Sequence, residues 1–371
     1  MTKTIRIGII GLGFGAEFIP IYQNHPHAEP AAICQRDPEK LGAIGEAFGV
    51  AKRYTDWREM LKDPDLDAIH INSPIPDHAA MALAVLNAGK HCACTVPMAT
   101  NLEALRAICR AQRDSGKNYM MMETVVYARE FFFVQELLKK GEMGRLQFLR
   151  GAHQQEMAGW PGYWEGLPPM HYATHCVSPL LALADTLADS VVCHGSGRID
   201  ADLAINYGSP FAVETATIKL RDSEVVAEVT RSLFNTARQY RESFDVYGSK
   251  VSWEWSQIEH EESILHYGEE VRRVRVEDYA HRLPESIRRF TTSGVYDSDE
   301  NVHLSFKQGS GHRGSHPHMA HEFVMSIVEG REPFPNAEQS ANYTAVGICA
   351  HDSALRGGKR VFLPDFASKY L

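Results

Sequence analysis

An apolar run from Thr4 to Ile10 passes directly into Gly11-Leu12-Gly13-Phe14-Gly15-Ala16, and a helical stretch from Glu17 to Gln23 follows. No other feature limits the fold as tightly. A strand that ends in G-x-G-x-x-G/A and opens into a helix is the phosphate-binding turn of a dinucleotide fold. Gly11 permits the turn, Gly13 lets the backbone approach a pyrophosphate, and Ala16 allows close packing of helix on strand. Phe14 and Gly15 complete the loop, and free N–H groups at the helix start favour an anion.

The second strand, Pro30 to Cys34, ends in Gln35-Arg36-Asp37, where an acidic partner for the adenosine ribose is expected about 20 residues past the glycines. The Gln35 amide can also bond a ribose hydroxyl. Arg36 can stack on adenine or pair with a 2′-phosphate, so both NAD and NADP fit, and Asp37 tips the expectation to NAD because it disfavours a phosphate. Helical and extended segments then alternate: Arg58 to Lys62, Ala68 to Asn72, His78 to Ala88, His91 to Cys94 and Tyr119 to Met122. Such alternation predicts a parallel sheet covered by helices. Ligands bind such sheets at strand C-termini, which makes Asn72, Ser73, Pro74, His78, Thr95 and Pro97 candidate cofactor contacts. Glu123 directly follows four apolar strand residues, where a charge is either costly or useful.

A chain of 371 residues with 44% hydrophobic content exceeds what one core usually supports, so two domains are expected, 1–125 and 126–371. The formal charge of −9 and the lack of a Lys/Arg run argue against nucleic acid or an anionic membrane as partner and for a small molecule. No apolar run approaches the ~20 residues of a membrane span, and no signal-peptide pattern opens the chain. Seven scattered cysteines form neither a disulfide ladder nor a zinc spacing. The expectation is a cytoplasmic protein with reduced thiols.

After Arg145 strands follow one another with few helices between, as in Leu146 to Ala152, Ala212 to Leu220 and Val225 to Arg231. This predicts a substrate-binding α+β domain with an open, mainly antiparallel sheet. An exposed sheet needs covering, so a homo-oligomer, dimer or tetramer, is expected. Trp160 and Trp164 stand in a Gly- and Pro-rich loop, as flat rings suited to sugar faces. In Met170-His171-Tyr172-Ala173-Thr174-His175, His171, Thr174 and His175 share one helical face. No third ligand follows at helical spacing, so no metal is expected; acid or base work by His175 is the better reading. His153 at a strand end is a second proton carrier. Arg313 and His316 lie in the glycine loop Gly309 to His318, which leads into a helix from Met319 to Glu329 and suits an anion or polyol.

At the fingerprint, Asn72-Ser73-Pro74, the strand ending in Pro97 and the Arg356-Gly357-Gly358 tail, the chain resembles the Gfo/Idh/MocA family of glucose-fructose oxidoreductase and inositol dehydrogenase. The resemblance implies a Rossmann domain, NAD, and an open-sheet domain that also joins subunits. Dehydrogenases of that family usually carry Glu-Lys-Pro where this chain has Thr95-Val96-Pro97, and the lysine is the expected base. Val96 can move no proton. The NAD-dependent glycoside hydrolases of family 109 are similar here, and also at Met121-Met122-Glu123, at Tyr127-Ala128-Arg129-Glu130 and at Tyr172-Ala173-Thr174-His175. This likeness implies a glycosidase that oxidises C3, eliminates the aglycone, adds water and re-reduces. It implies catalytic roles for Glu123, His153, Tyr172 and His175, with Tyr127 beside the sugar. Arg238, Arg313 and His316 suggest an anionic glycoside such as a sulfoquinovoside. Two rivals stand beside this reading. One is an NAD(P)-dependent sugar or polyol dehydrogenase with His175 as base, the other a cofactor-binding sensor without chemistry.

Overall fold

The computed structural model describes residues 4–258, 261–291 and 310–367. Six strands, β1 (Ile5–Ile10), β2 (Ala28–Cys34), β3 (Lys52–Tyr54), β4 (Ala68–Ile71), β5 (His91–Thr95) and β6 (Tyr119–Met122), pair in parallel in the order β3-β2-β1-β4-β5-β6. That is the doubly wound Rossmann order, and its strand direction of growth reverses between β1 and β4. Because helices cover both faces, every residue of β4 and β6 is buried, which is why these strands read as unbroken apolar runs. The covering helices are α1 (Ile19–Asn24), α2 (Pro38–Ala47), α3 (Trp57–Leu61), α4 (His78–Asn87) and α5 (Leu102–Ser115). In α5, Leu105, Ile108, Cys109 and Ala111 form the buried stripe. The Asn101 side chain accepts from Ala104 N at its start, and Gly116 ends it at φ +63°.

The fingerprint does not open straight into one long helix. A 3-10 turn, Gly15–Phe18, precedes the six-residue α1, which has Pro20 near its start.

The second half holds α6 (Arg129–Lys139), β7 (Leu146–Gln155), α7 (Thr174–Leu183), β8 (Ala188–Ser196), α8 (Ala201–Ala204), β9 (Val213–Leu220), β10 (Val226–Ser232), β11 (Tyr240–Gly248), β12 (Ser252–Glu254), β13 (Ser263–Tyr267), β14 (Glu270–Val274), α9 (Ser315–Glu329), α10 (Ala337–Leu355) and β15 (Val361–Phe362). Nine strands form one sheet, β14-β13-β12-β11-β7-β10-β9-β8-β15, antiparallel except where β10 runs parallel to β7. The expected open, mainly antiparallel sheet is therefore present. Helix α7 ends at Leu183, and β8 takes up the chain from Ala188.

Gly151 in β7 sets how closely α7 lies on this sheet. A Cβ there would stand 2.1 Å from the Cys176 carbonyl oxygen, so only glycine lets the helix backbone cross the strand. This close approach brings His175 beside His153. Helix α10 starts with a reciprocal cap between Asn336 and Gln339 and is buried along most of its length. It packs against α5, α7 and β8 and so ties the two sheets together.

Candidate active site

Two grooves meet at Ser73, between the loops that follow β1 and β4. The first is lined by Gly11, Gln35, Arg36, Asp56, Trp57, Ser73 and Pro74 among others. It fits the adenosine and phosphate end of a dinucleotide. Gly11 sits at φ +83°, and a Cβ there would be 2.3 Å from the Asn72 carbonyl oxygen. At Gly13 a Cβ would meet no atom within 4 Å, which leaves the space a pyrophosphate needs above the turn. Asn72 Oδ1 and Ser73 Oγ are buried without a protein partner, so the walls offer unused hydrogen-bonding groups. Asp37 caps α2, accepting from Glu39 N and Lys40 N.

The second groove continues from Ser73 into the cleft between the sheets. Its lining includes Phe14, Asn72, His78, Thr95, Val96, His153, Trp160, Trp164, Tyr172 and His175. All ten were singled out in the sequence, Val96 for the proton it cannot carry. His78 touches the groove with its ring already committed: Nδ1 lies 2.8 Å from the Pro97 carbonyl oxygen and Nε2 2.9 Å from that of Ser73. It fixes the two cofactor loops to each other.

The centre of this groove is a buried histidine and carboxylate pair. Glu123 is fully buried, and its Oε1 accepts from His175 Nδ1 at 2.7 Å and from Val125 N at 3.1 Å. Thr124 Oγ1 stands 3.3 Å from the same ring nitrogen, and Tyr172 Oη 3.3 Å from Nε2. Burial by itself would lower the pKa of His175, but Glu123 and then Glu242 outweigh it and raise the value. Glu123 does not pair with Arg129, whose guanidinium donates to the carbonyls of Arg313 and Thr291. The carboxylate therefore serves the histidine and does not line the groove itself.

His171, Thr174 and His175 do not share a face. The chain follows a 3-10 turn over Pro169–Tyr172 and starts α7 only at Thr174, so the rings diverge at Ala173. His171 packs on His351 at 5.1 Å, behind the site, while Tyr172 and His175 enter it.

Four further side chains expected at the substrate do not reach the groove. Tyr127 is buried with its hydroxyl on the Phe334 carbonyl. Arg238 donates to the Gln257 carbonyl near the surface. Arg313 pairs with Glu130 at 3.3 Å and lies over Trp255. His316 is buried behind Phe14, 3.0 Å from Glu17 Oε2. Among the described lining residues there is no Lys or Arg, so Arg238 and Arg313 lend no support to an anionic sugar. Gly309 of the glycine loop lies outside the described residues.

The sequence reading missed Glu17, Gln155, Tyr163, Tyr240 and His312 in the lining, and Glu242 just behind it. Glu242 stands opposite His153 in the β7–β11 register, and one ligand atom from each of His153, His175 and Glu242 lies within 4.8 Å of the others. No sequence spacing signals that set, because it comes from two strands and a helix. It is a donor set a divalent ion could share. Burial raises the pKa of Glu242, yet His175 and His312 pull it down to about 2. His153 is buried with neither ring nitrogen hydrogen-bonded, and burial together with Arg231 and His175 holds its pKa well below the usual value. Arg231, also fully buried, donates to the carbonyls of Tyr172, His153 and Ser232 and to Gln155 Oε1, so it clamps the backbone under the site. Trp164 roofs the groove, 4.8 Å from the Tyr172 ring.

Residues 5–123 match the model of an oxidoreductase family with an NAD-binding Rossmann fold, Gfo/Idh/MocA. Curated relatives include a glycosyl hydrolase family 109 protein of Bacteroides fragilis, 27% identical over 202 residues, which are 49% of this chain and 43% of that protein. A levoglucosan dehydrogenase of Pseudarthrobacter phenanthrenivorans is 28% identical over 170 residues, 43% of each chain. These matches thus span less than half of the relatives' own length. Among solved structures, a levoglucosan dehydrogenase complexed with NADH superposes with a TM-score of 0.80 over 98% of this chain and all of that one, at 18% identity, a likeness of fold. The fingerprint, strand order and open pyrophosphate space agree with that match, so residues 5–123 form an NAD-binding Rossmann domain similar to that of the Gfo/Idh/MocA oxidoreductases.

Proposed function

We propose that the protein is an NAD-dependent glycosidase that works by transient oxidation at C3 of a neutral glycoside. The observation that carries this reading is the buried His175–Glu123 pair, 2.7 Å apart, in a groove where Val96 supplies no proton carrier. Bound NAD supplies a hydride acceptor that later gives the hydride back. As C3 loses its hydride, His175 takes the proton of the C3 hydroxyl, and Glu123 stabilises the resulting imidazolium. Tyr172 is held neutral, its pKa raised by burial, and donates a hydrogen bond to the C3 oxygen. The C3 ketone acidifies the C2 proton, which passes to the neutral ring of His153. The aglycone then leaves from C1 with its bonding electrons. Water adds at C1 as hydroxide while its other proton goes to the departed aglycone oxygen, His153 returns a proton to C2 and His175 returns one to the C3 oxygen, so the net reaction is hydrolysis. No pair of opposed carboxylates is needed, as in other NAD-dependent exceptions. Trp160 and Trp164 present flat faces to the sugar or its aglycone.

The curated levoglucosan dehydrogenase relative favours a second reading, in which the sugar leaves as the ketone. His175 would then be the only proton acceptor needed. A nitrophenyl glycoside panel with added NAD separates the two: aglycone release at constant NADH supports the glycosidase. Steady NADH formation without aglycone overturns it.

A further inference from the structure

The fingerprint turn carries a charge that neither the phosphate site nor the sugar chemistry uses. Glu17 follows Ala16 and lines the second groove, as do Phe14, Thr95 and Val96. Its side chain is 14% exposed, and its Oε2 lies 3.0 Å from Nδ1 of the fully buried His316. Phe14 and Phe18 pack against that imidazole, with ring centroids 5.3 and 5.1 Å away. Burial lowers the pKa of His316 in spite of Glu17, so the ring is neutral and leaves the carboxylate charge in place. None of the described residues lining the groove is a Lys or Arg, and Val96 occupies the turn after β5. Glu17 therefore leaves a negative field over the part of the groove next to the fingerprint.

We infer that Glu17 sets the redox preference of the bound cofactor, holding positively charged nicotinamide more tightly than its neutral reduced form. In a low-dielectric cleft a carboxylate acts on the one oxidation state that bears charge there. The inference rests on NAD occupying the two grooves and holds for a glycosidase or a dehydrogenase alike. It also gives the protein a resting state. The oxidised cofactor is retained between turnovers, and return of the hydride to the sugar ketone is the downhill half of the cycle.

The test uses the full chain stripped of nucleotide and titrated separately with NAD+ and NADH. Calorimetry follows the first, and quenching of protein fluorescence the second. The wild type is expected to bind NAD+ at least as tightly as NADH. In Glu17→Gln, which keeps the shape and the contact with His316, NAD+ affinity is expected to fall about tenfold with NADH affinity little changed. A tenfold change in that ratio is ~30 mV in the potential of the bound two-electron couple, shifted upward in the variant. Two results overturn the proposal. In one, the wild type itself prefers NADH, which needs no variant to establish. In the other, folded Glu17→Gln loses both affinities equally, as it would if the carboxylate only bonded the nicotinamide amide.

Discussion

Replacing Glu123 with Gln removes one charge from the centre of the site and almost nothing else. The amide keeps the shape, and its oxygen can still accept from Val125 N, now 3.1 Å from Oε1. What disappears is the charged partner of His175 at 2.7 Å. A hydrogen bond to a charged group contributes about 1.5–3 kcal/mol. If that contribution is realised when the imidazolium forms, kcat/KM falls roughly 10- to 150-fold, at ~1.4 kcal/mol per decade. The pH dependence gives an independent sign. Glu123 leads the interactions that raise the pKa of His175 against burial, so its removal lowers that pKa. The acid limb of kcat/KM should move to lower pH even as the plateau drops. Stability follows the raised pKa as well. The advantage of the wild type over Glu123→Gln is full below the unfolded histidine value and is lost as pH rises through the raised folded value. The assay is aglycone release from pH 4.5 to 9, with NAD affinity and Tm measured in parallel. A plateau within twofold of wild type and an unmoved acid limb, in a folded and NAD-bound variant, would refute the assignment of Glu123 to His175.

Gly13→Val should keep its Tm, since a Cβ there meets nothing within 4 Å, and lose NAD affinity at least tenfold; Gly11→Ala should lose ~2 kcal/mol or more in denaturant unfolding, from its φ of +83° and the 2.3 Å approach to the Asn72 oxygen. Glu214→Ala should cost about 3 kcal/mol in denaturant unfolding while leaving the sugar groove untouched, because the fully buried Glu214 accepts from Met170 N and His351 Nδ1 at 2.8 and 2.7 Å. Added Zn2+ should inhibit in competition with the sugar by ligating His153, His175 and Glu242, and His153→Ala should weaken that inhibition at least tenfold; prior treatment with a chelator should leave the basal rate unchanged.

The fold and its NAD-binding character were legible because both rest on local signals. The fingerprint carries its own strand, turn and glycine positions, and the alternating segments signal a parallel sheet covered by helices, though not the order of its strands. His175, Tyr172 and His153 were legible as residue types with few other uses at such places. Glu242 was not. It stands between Arg241 and Ser243 without any local mark, and only the pairing of β11 with β7 sets it against His153. The helical face imagined for His171 failed for a related reason. A break between a 3-10 turn and an α-helix at Ala173 turns neighbouring rings in opposite directions, and periodicity cannot register such a break. Arg238 and Arg313 show the converse error. Cations near the site in sequence terms were taken up by carbonyl and carboxylate partners elsewhere in the fold.

The most direct test of the central claim is proton NMR of the reaction in deuterium oxide, with the NAD-loaded protein and a glycoside it cleaves. Oxidation followed by elimination predicts a released sugar with deuterium at C2 and protium at C3, since the C2 proton exchanges with solvent while the hydride returns to its carbon. NADH should not accumulate. Release of the sugar with protium kept at C2, or conversion to a ketone with a matching rise in NADH, would contradict the account.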